Sequence, residues 1–311
     1  MIQNVLLLIG FALKIWGPLP PVDLAALLTM PPPSAPEAEH APRPARYSTP
    51  LSQLQERMAS KKGEDEFSVL ILGDSHSMGY FGRVLHRMIR KQIQGNVVMV
   101  SACGRAEAGH LDGTYAHCGV IIRDENNKTQ VPKGCRKNPC LESDGESCSK
   151  HDCRPRKVDE YLKALQPDVT LVQLGGNNVW RGSRKKGWPI ATKRMHELAD
   201  IILKHGSRCM WVTPPDSSIR SDKLEDAFAS MYETELRGKC TVFNSRPEHR
   251  PFLNYSVLAR ELRMEKPDHD GLHYGWLGDR GRKAQRQWAK EIVIDLVLNS
   301  IASLKNKTPQ L

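Results

Sequence analysis

From residue 67 onward, apolar and polar positions alternate between strand-like and helix-like stretches. Phe67–Leu72 (FSVLIL) is a short apolar run, the pattern of a strand buried on both faces. It stops at Gly73-Asp74-Ser75-His76-Ser77. From Met78 to Ile93 the period becomes helical, with Phe81, Leu85, Met88 and Ile89 on one face. Asn96–Ser101 is a second strand-like run, Asp168–Leu174 a third, Cys209–Thr213 a fourth and Thr241–Asn244 a fifth. Helical patterns fall between them at Val158–Leu165, Ile190–His205 and Lys223–Arg237. A terminal helix is expected over Leu277–Leu304, and Ala106–Arg156 has no periodicity. Strand and helix in alternation predict an α/β protein, a three-layer sandwich with a parallel sheet. In such a sheet the ligand site lies beyond the carboxyl ends of the strands. The polar clusters at Ser75, Gly104, Asn177 and Asp270/His273 all fall in loops that follow strands, so they can meet at one edge.

The first 50 residues follow another pattern. Val5–Leu13 (VLLLIGFAL) is apolar but too short for a confident membrane span. Its length suits the apolar part of a signal peptide, although no Lys or Arg precedes it and no clear small-x-small cleavage site follows. Residues 17–50 are rich in Pro and Ala and read as an extended spacer. The expected organisation is an apolar signal or anchor at 1–16, a linker at 17–50 and a catalytic-type domain at 51–311. Within that domain, 105–156 is an insertion, and Leu51–Lys61 is a lead-in helix. This layout points to an exported or membrane-tethered protein, periplasmic or secreted.

Charge narrows the partners. The 311 residues carry a formal charge of +10, which favours anionic surroundings. Aromatic residues are only 6%, no basic stripe is interleaved with them, and no zinc-finger, RNP or helix-turn-helix pattern occurs. No nucleic-acid partner is therefore expected.

Six of the eight cysteines, Cys103, Cys118, Cys135, Cys140, Cys148 and Cys153, lie in or beside the insertion. Cys209 and Cys240 lie at strand-like runs. In an oxidising compartment an even set of this kind is a disulfide framework for a segment with little core of its own. Expected pairs are Cys103 with Cys118, local pairs among the middle four, and Cys209 with Cys240. Two alternatives stay open. One is a zinc site on Cys135-x4-Cys140 and Cys148-x4-Cys153, a spacing looser than structural zinc sites use in at least one pair. The other is a reduced, cytosolic set.

Acyl transfer by a serine needs a nucleophile, a histidine base, a group that orients the base, and donors for the oxyanion. Ser75 can attack a carbonyl, His273 can take its proton, and Asp270, three residues earlier, can fix the imidazole tautomer. Oxyanion donors would be the Ser75 N–H, the Gly104 N–H and the Asn177 amide. Each has an ordinary structural alternative: a helix cap at Ser75 or Asp74, a turn at Gly104, an Asx-turn at Asn177. His76 more naturally points along the following helix or lines the pocket than acts as a second base. Asp268 and His269 offer a rival acid–base pair to Asp270 and His273.

These residues resemble the blocks of the SGNH (GDSL-type) hydrolases. Gly73-Asp74-Ser75-His76 is similar to their nucleophile block, in a GDSH form, and Gly104 to their oxyanion glycine. Gly175-Gly176-Asn177-Asn178 is similar to their G-x-N-D block, and Asp270-Gly271-Leu272-His273 to their terminal D-x-x-H. The resemblance spans roughly 67–301 and favours Asp270/His273 over Asp268/His269. It departs from the pattern at Asn178, where the family usually has Asp, and in the Cys-rich insertion. It implies a five-stranded parallel α/β/α sandwich, flavodoxin-like, with no metal and no organic cofactor. It also implies catalysis by Ser75, Asp270 and His273, with the oxyanion held by Ser75, Gly104 and Asn177. The expected activity is a serine esterase removing a small acyl group, acetyl foremost, from a carbohydrate or cell-envelope glycan. Alternatives are a lipase or lysophospholipase, a glycan O-acyltransferase, and a glycan-binding module on a decayed scaffold.

Overall fold

β1 (Ser68–Gly73) is buried along its whole length and forms the middle of the sheet. The computed structural model describes residues 67–93, 95–104, 106–113, 120–124, 129–130, 157–181, 187–264 and 270–296. In chain order β1 is followed by the single-turn helix α1 (Ser75–Met78), α2 (Tyr80–Ile93), β2 (Asn96–Ala102) and α3 (Glu107–Asp112). Next come β3 (Val120–Arg123), β4 (Thr129–Gln130), α4 (Val158–Leu165), β5 (Val169–Gln173), α5 (Gly176–Arg181) and α6 (Gly187–Lys204). The chain continues through β6 (Arg208–Val212), α7 (Asp222–Glu235), β7 (Cys240–Phe243), α8 (Tyr255–Glu261) and α9 (Gly278–Asp295). Short 3₁₀ turns cover Pro251–Leu253 and Tyr274–Leu277.

The sheet order is β4-β3-β2-β1-β5-β6-β7. The five predicted strands are β2, β1, β5, β6 and β7, and all pair in parallel. The sheet does not stop at five, however. β3 and β4 extend it antiparallel on the outer edge of β2. Both fall within 105–156, where no periodicity was expected. Val120-Ile121-Ile122 is too short a run to register as a period, and its strand forms because the edge of β2 offers unpaired backbone groups. The helix expected from Met78 begins at Tyr80, and the turn before it is itself one helical turn, Ser75–Met78, capped by Gly79.

β1 and β5, buried at every position, separate two helical layers. On one face Leu70, Leu72, Val98, Val100 and Val172 pack against Tyr161 and Leu162 of α4, Met195 and Leu198 of α6, and Phe228 and Tyr232 of α7. Strand residues of opposite parity, such as Val69 and Ile71, point to the other face. There α2 and α9 lie together, with the Phe81 and Trp288 rings stacked 3.9 Å apart.

Cys209 and Cys240 are register partners on β6 and β7 and form the expected disulfide, with a Cα–Cα distance of 4.5 Å. Cys103 is also disulfide-bonded. The other cysteines, residues 1–66, the lead-in helix, Asp268 and His269 lie outside the described residues. Among the described residues no helix is long and apolar enough to cross a membrane.

Candidate active site

Sheet order decides which loops meet. β1 sits between β2 and β5, and Gly73 is the register partner of Ser101 on one side and Gln173 on the other. Here successive strands depart to opposite sides, the crevice where parallel α/β sheets bind ligands. Ser75 follows Gly73 by two residues, Gly104 lies in the turn after β2, and Asn177 is in the first turn of α5. Neighbouring strands are about 4.8 Å apart, so the three residues emerge side by side.

Ser75 opens α1, and Asp74 caps it by accepting the His76 N–H at 2.9 Å. The strand-to-helix turn is tight. A Cβ on Gly73 would lie 2.3 Å from the Ser77 Oγ, so only glycine fits there. Ser77 in turn donates to the Gln173 side chain, tying the Ser75 turn to β5.

His273 reaches Ser75 from the far end of the chain. Its Nε2 is 2.8 Å from the Ser75 Oγ, and its Nδ1 is 2.5 Å from Asp270 Oδ2. The other oxygen of Asp270 accepts the backbone N–H groups of Leu272 and His273 at 2.9 and 2.8 Å. Partial burial alone would raise the Asp270 carboxyl. The hydrogen bonds from the His273 ring and the two backbone N–H groups outweigh it and bring the group down to about 2. Asp270 therefore stays ionised, and a proton on Nδ1 leaves Nε2 to accept from the serine hydroxyl.

His76 is buried behind this line, its ring centroid 5.0 Å from that of His273 and edge-on to Trp288 at 6.3 Å. Both of its nitrogens are without a hydrogen-bond partner among the described residues. Burial, reinforced by the nearby His273 and Arg220, pushes it well below the usual histidine range, so it is neutral. It lines the floor of the site and does not touch the serine as a base. Asp74 is also fully buried, and burial raises its carboxyl to about 6 against the His76 N–H, Gln173, His273 and Arg220.

Several supporting residues carry no local sequence signal. The loop after β6 holds both halves of the site. Ser218 N–H donates to Gly271 O at 2.8 Å, and Arg220 Nη2 donates to Gly176 O at 2.7 Å. Beneath that loop Arg246 pairs with Asp216 at 3.2 Å, with Asp226 at 2.7 Å and with Glu225. Glu107, Asn178 and Tyr232 form a second buried group beside Gly104 and Asn177. Partners separated by tens of residues leave no spacing to read; only the fold brings them together.

No family model matches the chain, and no curated protein sequence matches it. Solved structures similar to it include the psychrotrophic esterase EstA of Pseudoalteromonas sp., 15% identical with a TM-score of 0.42, over 78% of this chain and 100% of that one. A GDSL-like lipase from Bacteroides thetaiotaomicron is 12% identical with a TM-score of 0.40, over 78% and 99%. The C-terminal catalytic domain of Streptococcus pneumoniae peptidoglycan O-acetyltransferase A is 11% identical with a TM-score of 0.39, over 78% and 96%. These are likenesses of fold. The fold is an α/β/α sandwich in which Ser75, Gly104 and Asn177 follow β1, β2 and β5, whereas Asp270 and His273, expected in a loop after a strand, come after α8.

Proposed function

We propose that this chain is a serine esterase that removes a small acyl group, acetyl foremost, from a carbohydrate or cell-envelope glycan. The observation that carries the reading is the hydrogen-bonded line from Ser75 Oγ through the His273 ring to Asp270. In this mechanism Ser75 Oγ attacks the ester carbonyl while His273 Nε2 takes its proton, and Asp270 stabilises the imidazolium. The carbonyl oxygen becomes an oxyanion, bound by the N–H groups of Ser75 and Gly104 and by the Asn177 amide. The intermediate collapses, the imidazolium of His273 protonates the departing sugar oxygen to give the free hydroxyl, and the acyl group stays on Ser75. Water, deprotonated by His273, then attacks the acyl carbon, the bond to Ser75 Oγ breaks with His273 returning the proton to it, and the free acid leaves.

An anionic glycan suits the charge of the site's surroundings. α2 starts five residues after Ser75 and carries Arg83, Arg87, Arg90 and Lys91 with no carboxylate. Its neighbour α9 starts five residues after His273 and adds Arg280, Arg282, Lys283, Arg286 and Lys290 against Asp279, Glu291 and Asp295, with Arg280 paired to Glu261 and Arg282 to Asp279. Arg286 bridges the two helices by donating to the Tyr80 hydroxyl at 3.0 Å. The Cys209–Cys240 disulfide is the kind of bond an oxidising, extracytoplasmic compartment keeps.

The test is acid release from 4-nitrophenyl acetate, longer-chain 4-nitrophenyl esters and O-acetylated glycans by protein made under oxidising conditions. Ser75→Ala and His273→Ala are expected to lower kcat at least ~10³-fold without unfolding the protein. Faster turnover of long-chain esters would replace the glycan reading with a lipase. Acetyl transfer to an added glycan in preference to water would make the protein an O-acyltransferase. A folded wild type that binds glycan without turnover would be a binding module.

A further inference from the structure

The two outer oxyanion donors of the proposed mechanism sit on different loops, and one buried carboxylate spans them. Glu107 is the first residue of α3, three positions after Gly104, and is 1% exposed. One of its oxygens accepts from the Asn178 side-chain amide, and the other accepts from the Tyr232 hydroxyl at 2.7 Å. Asn178 directly follows Asn177. Tyr232, fully buried on α7, rises under the same loop, with its hydroxyl 2.6 Å from where a Cβ on Gly175 would sit. A single carboxylate thus joins the helix behind the glycine donor, the residue behind the amide donor and a ring wedged under Gly175.

We infer that Glu107 is a positioning residue that fixes Gly104 and Asn177 on either side of Ser75 through its bonds to Asn178 and Tyr232. The inference rests on the esterase reading above. Its chemistry also accounts for the amide at 178, where the resembling family usually has Asp. Burial already raises the Glu107 carboxyl against the bonds from Tyr232 and Asn178, so a second acid at 178 would set two acids face to face in a dry site, and they could not both ionise. A carboxamide at 178 donates instead. Tyr232 remains a donor as well, because burial, with Glu107 beside it, pushes its hydroxyl well above the usual phenol range. Electrostatic catalysis of this type needs donors held in place before charge develops, and losing one donor costs about 10²–10³ in kcat.

The roles can be exchanged without changing shape. Asn178→Asp recreates the facing acids. Adding Glu107→Gln restores one amide and one carboxylate with the direction reversed, and the Gln oxygen still accepts from Tyr232. Glu107→Leu removes the acceptor altogether. Asn178→Asp and Glu107→Leu are each expected to lower kcat about 10- to 100-fold with KM little moved. They should slow Ser75 labelling by a fluorophosphonate in parallel, since labelling needs the oxyanion site but no particular ester. The Asn178→Asp deficit should deepen as pH rises and the shared proton is lost, and the Asn178→Asp/Glu107→Gln double variant should recover to within a few-fold of wild type. A purely structural contact would lower the melting temperature and leave kcat per folded molecule unchanged, which would overturn the inference. A folded double variant no better than Asn178→Asp would overturn it too. If Asn178→Asp fails to fold, Glu107→Leu and the double variant still decide. Wild type that neither turns over esters nor labels at Ser75 overturns the esterase reading instead. Thermal unfolding of the wild type, the Asn178→Asp and Glu107→Gln single variants and the double then reads the cross-link alone, and additive effects overturn it.

Discussion

Asp74 combines two demands that pull in opposite directions. As the cap of α1 it must accept the His76 N–H, and as the residue between β1 and Ser75 it must be fully buried. Burial raises its carboxyl from 3.8 to about 6, so folding takes up a proton between those values. Its favourable contribution is present below about pH 4 and is lost as pH rises through about 6. Asparagine caps a helix as well as aspartate does but does not titrate. Asp74→Asn should flatten the pH dependence of stability between about 4 and 6 and gain on wild type by up to about 3 kcal/mol above it. Urea unfolding at a series of pH values reads this directly. Asp216, also raised to about 6 by burial and by neighbouring Glu225, titrates in the same window and leaves a residual slope. Asp270 works in the opposite sense. Held down to about 2, its contribution is present above pH 4 and is lost only as pH falls through about 2. At this scale the sequence was informative: Ser75, Asp270 and His273 are legible because they lie in short blocks with fixed spacing. Glu107, Arg220 and Tyr232 are not, because each acts on a residue 44 to 125 positions away.

Among the elements, the loop after β6 has the widest reach. It binds the Asp270–His273 segment through Ser218 and the Gly176 turn through Arg220, and the paired charges around Arg246 fix it from below. Gly271 is where this arrangement is least tolerant. Its φ is +73°, and a Cβ there would lie 2.4 Å from Ile219 Cγ2 and 2.7 Å from Ser218 Oγ. Gly271→Ala should cost about 1–2 kcal/mol in backbone strain alone. Relieving the contacts would move Asp270 and His273 away from Ser75, so kcat should fall at least ~10-fold, more than the stability change would suggest. Melting temperature and kcat measured on the same sample separate the two effects. The helices and parallel strands were legible element by element because each is long enough to show its period. β3, α3 and α8 were not, since four to seven residues complete at most two turns or two strand alternations.

For the whole molecule, the formal charge of +10 is not spread evenly. The cations of α2 and α9 share one helical layer, and both helices begin at the site edge. If the substrate is an anionic glycan, its KM should rise several-fold between 50 and 300 mM salt, because the Debye length falls from about 14 Å to about 6 Å. kcat/KM for neutral 4-nitrophenyl acetate should stay nearly constant over the same range. Arg83→Glu with Arg87→Glu should raise the glycan KM and flatten its salt dependence while leaving the small ester unaffected. Steady-state kinetics at several ionic strengths with both substrates checks this.

The sequence by itself determined the class of sheet, the order of the blocks and the identity of the residues at the strand ends. Buried strands and amphipathic helices are encoded in local periodicity, and D-x-x-H places its two groups within one turn of chain. It could also suggest the Cys209–Cys240 bond, because both residues stand at strand-like runs. Only the tertiary structure decided that two short antiparallel strands extend the sheet past β2. It alone set His76 behind the imidazole as a neutral wall, and it alone let Glu107 bridge the loops on either side of Ser75. Those outcomes depend on which edges and side chains remain unpaired once the sheet has formed, and that is a property of packing between distant segments that no local pattern carries.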